Sequence, residues 1–131
     1  MNRRKSREVA MRILFSMTLS GNDITSAIEN FKKAEFEDIE QVDFEYVEMI
    51  LKGVQEHKEE IDKNIQDKLH NWKINRLSNT SLAIMRIAAF EIEHVEDVPA
   101  RVAVNEAIEL GKIYCEDKAT DLINGVLHNF V

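Results

Sequence analysis

Arg3, Arg4, Lys5 and Arg7 put four cations within five positions, and Arg12 adds a fifth. Against the single acid Glu8, the first twelve residues carry +4 in a chain of −7, so the remaining residues hold −11. This polarity suits electrostatic capture of a polyanion at one end, with repulsion of nonspecific contacts elsewhere. On a helix, Arg3 and Arg7 are four apart and Arg4 and Arg7 three apart, so the arginines share one surface. At 100° per residue the stripe of Ala10, Ile13, Leu14 and Met17 marks the core side. Phe15 then falls about 150° from that stripe, beside Arg4 and Met11. Cations next to an off-core aromatic suit single-stranded nucleic acid, with guanidiniums on phosphates and a base on the ring. Packing of Phe15 against a second helix layer, and a merely solvated basic terminus, stay open at this point.

Other residue types offer less. His57, His70, His94 and His128 are separated widely and show neither HxxxH nor HExxH spacing, so no metal motif is read from them. Cys115 is the only cysteine, which excludes an internal disulfide and agrees with a reducing compartment. Its acidic neighbours Glu116 and Asp117 disfavour the thiolate that a nucleophile requires. There is no glycine-rich phosphate loop, no GxSxG and no CxxC, and acidic pairs such as Glu59-Glu60 sit in charged helical stretches. No general acid, base and nucleophile assemble, so the expectation is a binding protein without catalytic residues, metal or cofactor.

The elements that position these residues are helical. With 131 residues, 44% hydrophobic and 31% charged, the chain fits one ordinary globular domain. No apolar run approaches the roughly 20 residues needed to span a bilayer, and no secretory h-region follows the basic end. A cytoplasmic location without membrane contact is expected. Four glycines and one proline leave few turns. The spacing predicts a helix over about 3–19, ended by Gly21, and a second, capped by Asn22 or Asp23, to about Lys33. Residues 35–62 hold eleven acids against Lys52 and Lys58, yet keep Phe44, Val47, Ile50, Leu51 and Val54 at helical intervals behind an Asp43 cap. A break is expected near His57, then a helix through Ile61, Ile65 and Leu69, and a linker from Trp72 to Leu77. Ser78 or Asn79 caps a helix that is apolar on nearly every side, from Leu82 to Ile92. Asp97-Val98-Pro99 starts the next, to about Ile113. A polar loop from Tyr114 to Lys118 precedes a last helix with Leu122, Ile123, Val126, Leu127 and Phe130. The fold class is all-α, with about seven helices.

The run LAIMRIAAFEIEHVEDVPARVAVNEAIELGKIY at 82–114, then LINGVL at 122–127, resembles the NusB family of bacterial transcription antitermination factors. RRKSREVAMRILFSM at 3–17 is similar to that family's arginine-rich first helix. The resemblance implies two small packed helical bundles in a single NusB-like domain, here about 1–71 and 72–131. It also implies partnership with the ribosomal protein NusE, joint binding of single-stranded boxA RNA in nascent ribosomal RNA leaders, and tethering to elongating RNA polymerase with other Nus factors.

Carried over residue by residue, Arg3, Arg4, Lys5 and Arg7 match the family's basic motif. Phe15 stands where the family has an RNA-facing aromatic, often tyrosine. The family's other RNA-facing part corresponds to 116–122. There the family commonly reads KFVNG where this chain has Asp121-Leu122-Ile123-Asn124-Gly125. Asp121 and Leu122 thus replace a cation and an aromatic, and Lys118 restores part of the charge. Arg86 and Glu91 are expected to form a buried polar pair or cap rather than contact RNA, with Asn105 and Glu106 satisfying loop backbone groups or Arg86. Gly111 and Gly125 are expected at close helix contacts. For the ribosomal protein, the edge around Asn75, Arg76 and Ser81 is the expected surface. Two further readings stay open on the sequence. One is the RNA-binding domain of a ribosomal RNA cytosine-5 methyltransferase, which requires a further domain and makes this chain a fragment. The other is a helical protein-binding adaptor, with homodimerisation hiding the basic patch.

Overall fold

The computed structural model describes residues 2–34 and 39–131, so the opening of the acidic stretch at 35–38 lies outside the described residues. It contains α1 (Arg3–Ser20), α2 (Ile24–Ala34), α3 (Phe44–Glu56), α4 (Lys58–Asp67), α5 (Asn79–His94), α6 (Ala100–Tyr114) and α7 (Asp117–His128). Short 3-10 turns stand at Ile39–Gln41 and Ile74–Arg76, and no strand occurs among the described residues. The all-α reading with seven helices therefore holds.

The helix ends follow from local chemistry. Gly21 closes α1 in the left-handed region at φ 74°, its N–H bonding the Met17 carbonyl at 2.9 Å. A Cβ resists that conformation, so glycine suits the position. Asp23 opens α2 by accepting from the Ser26 N–H at 2.8 Å. That hydrogen bond holds the Asp23 carboxyl below its ordinary range. Asp43 accepts from the Glu45 and Tyr46 N–H groups at 3.1 and 3.2 Å, and Ser78 from that of Ser81 at 3.1 Å. These side-chain oxygens satisfy donors that a helix start leaves without partners. Pro99 is the cap residue of α6, one position before the first turn, with φ −60°.

The chain divides into two compact units, Met1–Gly53 and Val54–Val131. The sequence reading groups 54–71 with the N-terminal bundle. In the structure α4 lies against α5, so this segment belongs to the second unit. In the first unit α1 packs on α2, and Val9, Ala10, Met11 and Ile13 are buried.

In the second unit α5 packs against α4, α6 and α7, which explains its apolar character on nearly every side. Among that apolar surface, Arg86 makes a two-pronged ion pair with Asp62 of α4, at 2.8 and 2.9 Å. The polar pair expected for Arg86 is real, and its partner is Asp62. Glu91 is 1% exposed and has its own polar interaction. Gln66 holds the linker after α4, donating to the Trp72 carbonyl at 2.9 Å and accepting from the Ile74 N–H at 2.8 Å.

Gly111 of α6 and Gly125 of α7 differ. A Cβ on Gly111 would stand 3.2 Å from Thr120 Oγ1 and 3.3 Å from its Cγ2, so α6 and α7 do approach closely there. A Cβ on Gly125 would meet nothing within 4 Å, so the close contact expected at that glycine is absent.

Candidate nucleic-acid interface

The start of α1 is held by a small hydrogen-bond lattice. Asn2 caps the helix through Oδ1, which accepts from the Lys5 N–H at 3.0 Å, while its own N–H donates to the Gln41 carbonyl at 2.8 Å. Ser6 Oγ donates to the Asn2 carbonyl at 2.9 Å and accepts from the Asp43 N–H at 2.8 Å. The first turn is thereby tied to the segment leading into α3.

On this anchored turn stand Arg3 and Arg4, both exposed, and Lys5, half-buried. The Arg3 guanidinium lies over the Tyr46 ring at 4.2 Å from its centroid, and Lys5 pairs with Glu8 at 3.6 Å. No acid occupies the first turn. Cations there oppose the positive end of the helix dipole, costing about 0.3–1 kcal/mol each. The first turn of α1 thus breaks a local stability rule at three successive positions.

Arg7 departs from the expectation. It is only 6% exposed, so it does not share the open surface of Arg3 and Arg4. Ala10 and Met11, three and four residues on along the same face, are buried as well. The buried arc of α1 is wider than the stripe of Ala10, Ile13, Leu14 and Met17, and Arg7 falls inside it. Phe15 is half-buried, offering only part of a stacking face.

Beyond the first turn of α1, further cations of this unit rest on aromatic rings. Arg12 lies over the Phe31 ring at 5.2 Å, and Lys32 over Phe44 at 4.5 Å. Lys32 and Lys33 close α2 with positive charge. Between α1 and α2 a cleft of about 340 Å³ is lined by Arg12, Ser16, Ser20, Asn22, Asn30 and Phe31. It combines a cation, an aromatic face and hydrogen-bonding groups, the chemistry that receives a nucleotide. Its signal in the sequence was the polar run along α1, Arg12 and Ser16 at i, i+4, which the apolar stripe overshadowed.

In the second unit Lys118 is exposed in the first turn of α7, Asp121 is exposed and Leu122 half-buried. Asn75 and Arg76 are exposed on their 3-10 turn. Ser81 is not part of a surface: it is 2% exposed and bonds Ser78 Oγ at 2.9 Å, with Cys115 Sγ at 3.6 Å. A buried serine so engaged serves the α5 cap. Trp72, 53% exposed, is the exposed large apolar side chain nearest in sequence to that turn.

The histidines also need correction. His57, which precedes α4, and His94, which ends α5, stack with ring centroids 4.0 Å apart. They lie far apart in sequence only.

No helix among the described residues is long and apolar enough to cross a membrane. The chain matches the model of the NusB family over residues 4–131. It is 48% identical over 131 residues to the transcription antitermination protein NusB of Clostridium novyi (strain NT), covering 100% of this chain and 98% of that one. Among solved structures, T. maritima NusB is similar at a TM-score of 0.85 and 26% identity, over 99% of this chain and 90% of that one. A structure of the antitermination factors NusB and NusE in complex with double-stranded RNA is similar at a TM-score of 0.83 and 22% identity, over 98% and 94% of the two chains. The last likeness is one of fold. Full-length identity to a NusB protein, the family match and the shared fold agree: this chain belongs to the NusB family of transcription antitermination proteins.

Proposed function

We propose that this chain binds a boxA-like element of nascent ribosomal RNA through the basic start of α1, together with the ribosomal protein NusE. The bound pair stays with elongating RNA polymerase and other Nus factors, so that termination signals are passed. The role is tethering, without a catalytic step, and its setting is the cytoplasm. The observation that carries this reading is the anchored first turn, where Arg3, Arg4 and Lys5 stand against the helix dipole in an otherwise acidic chain. A solved complex of the same fold holds NusE and RNA, which makes that pair the partners to test.

Arg3, Arg4 and Lys5 take phosphates, while Arg7 acts from beneath as a support. Phe15 gives a partial stacking edge, and the cleft at Arg12 and Phe31 receives a base or ribose. Lys118 is a separate phosphate contact on the second unit. The exposed turn of Asn75 and Arg76, with Trp72, is the surface we assign to the ribosomal protein.

Fluorescence anisotropy on a boxA-like RNA, with and without NusE, tests the reading. Tighter binding with the partner is expected, and preference for the single strand over its duplex. Equal affinity for scrambled RNA under both conditions would rule out specific recognition.

A further inference from the structure

The seam between α4 and α5 carries a cluster that the antitermination role does not use. His57 stands at the cap of α4, Glu60 three residues on, and His94 at the end of α5. Their ligand atoms all lie within 4.8 Å of one another. Glu60 bridges the two imidazoles, with Oε1 3.3 Å from His94 Nε2 and Oε2 3.9 Å from His57 Nδ1. The rings are stacked with 15° between their planes, and the buried Phe90 ring backs His94 at 5.5 Å.

We propose that His57, Glu60 and His94 form a binding site for a divalent transition metal, Zn²⁺ or a chemical neighbour such as Co²⁺. Two imidazole nitrogens and one carboxylate oxygen are a borderline donor set, which favours these ions over Mg²⁺ and Ca²⁺. Three protein ligands leave a fourth tetrahedral position for water. Coordination at about 2.0–2.1 Å requires the donors to close to roughly 3.3 Å from one another. Both rings must also tilt out of their parallel stack, so that their lone pairs converge.

The surroundings permit that closure. The Glu60 side chain is 51% exposed and free to swing, and the two imidazoles are about 30% exposed at the end of their helices. Closure is also favoured by charge, because a carboxylate between two imidazoles attracts a dication. The metal would fasten the first turn of α4 to the last turn of α5. Arg86 and Asp62 already join the same two helices by their ion pair. The site makes no use of the α1 cations, so the inference stands apart from the RNA reading.

Zn²⁺ titrated calorimetrically into the full chain at pH 7.5 should bind one to one. His57→Gln and His94→Gln should each weaken binding at least tenfold, and Glu60→Gln at least threefold. His128→Gln and Cys115→Ser should leave it unchanged. Circular dichroism checks that each variant folds. In the unsubstituted chain, Zn²⁺ should shift the ring-nitrogen NMR resonances of His57 and His94 and spare those of His70 and His128. Co²⁺ should give a visible spectrum without thiolate charge transfer. Binding no tighter than millimolar would overturn the proposal, as would an equal loss in His128→Gln or Cys115→Ser. Shifts confined to His70 or His128 would overturn it too.

Discussion

Arg86 of α5 and Asp62 of α4 meet through two parallel bonds, Nε to Oδ1 at 2.8 Å and Nη2 to Oδ2 at 2.9 Å. The arginine side chain is 13% exposed and the aspartate 25%, so water competes poorly for either. The planar fork of arginine matches a carboxylate in a way lysine cannot. Arg86→Ala leaves a half-buried carboxylate without its partner, and is expected to lower unfolding free energy by about 2–3 kcal/mol in urea titration. Arg86→Lys should recover less than half of that loss. The double change Arg86→Met with Asp62→Leu should recover more, because no orphaned charge remains.

Gly111 and Gly125 should respond to alanine with opposite signs. Both lie inside helices, where alanine is favoured over glycine by about 1 kcal/mol. At Gly125 the new methyl meets open space, so Gly125→Ala should stabilise the protein by about 0.5–1 kcal/mol. At Gly111 it meets Thr120, whose Oγ1 is held by a 3.1 Å hydrogen bond to the Glu116 carbonyl and cannot give way. Gly111→Ala should therefore destabilise, and Thr120→Ala in the same chain should relieve it. Thermal melts of the three variants decide the matter.

The α1 cations should trade stability against binding. Arg4→Glu places a favourable charge at the helix start and is expected to raise stability by about 0.3–1 kcal/mol. The same change should weaken RNA binding severely. Arg3→Ala and Arg4→Ala should each reduce the slope of log affinity against log salt by roughly 0.7, the value for one lost single-strand phosphate contact. Arg7→Ala should behave otherwise. Its side chain is buried, so the melting temperature falls while the salt slope changes least.

Asp23 gives α2 a pH-dependent cap. Its carboxyl titrates below the ordinary aspartate range because the charged form accepts from the Ser26 backbone and side chain. A depressed folded pKa means a contribution that is complete above the unfolded value and lost as pH falls through the folded one. The stability gap between wild type and Asp23→Ala should be constant from neutrality to about pH 5, then close below about pH 4. Asp23→Asn keeps an acceptor oxygen that does not titrate, so its stability difference from Asp23→Ala should not vary with pH.

Helix identity was legible in the sequence because apolar spacing and capping residues are local signals. Asp43, Ser78 and Gly21 each announced a boundary that the structure keeps. Burial around a helix was less legible, because it depends on how many neighbours surround it. The apolar stripe on α1 gave the direction of the core but not its width. Ser6, Arg7 and Met11 are buried although two of them are polar, since α2 and the Gln41–Asp43 segment both lie against this helix. Ser81 was misjudged for the same reason: polarity suggested surface, while its hydroxyl is engaged by Ser78 and Cys115. The His57–His94 stack was illegible, because 37 positions separate the two rings and only the packing of α4 on α5 joins them.

Three cations of the first unit lie on aromatic faces: Arg3 on Tyr46, Arg12 on Phe31 and Lys32 on Phe44. A side chain resting on a ring keeps its full charge while giving up part of its rotamer freedom in advance. Ordering a flexible side chain during association costs about 0.5–1.5 kcal/mol. Preorganised cations spare most of that entropy when a polyanion arrives. Removing a ring therefore loosens the grip of a cation that is still present: Tyr46→Leu would weaken capture of the ligand without altering the charge of the protein.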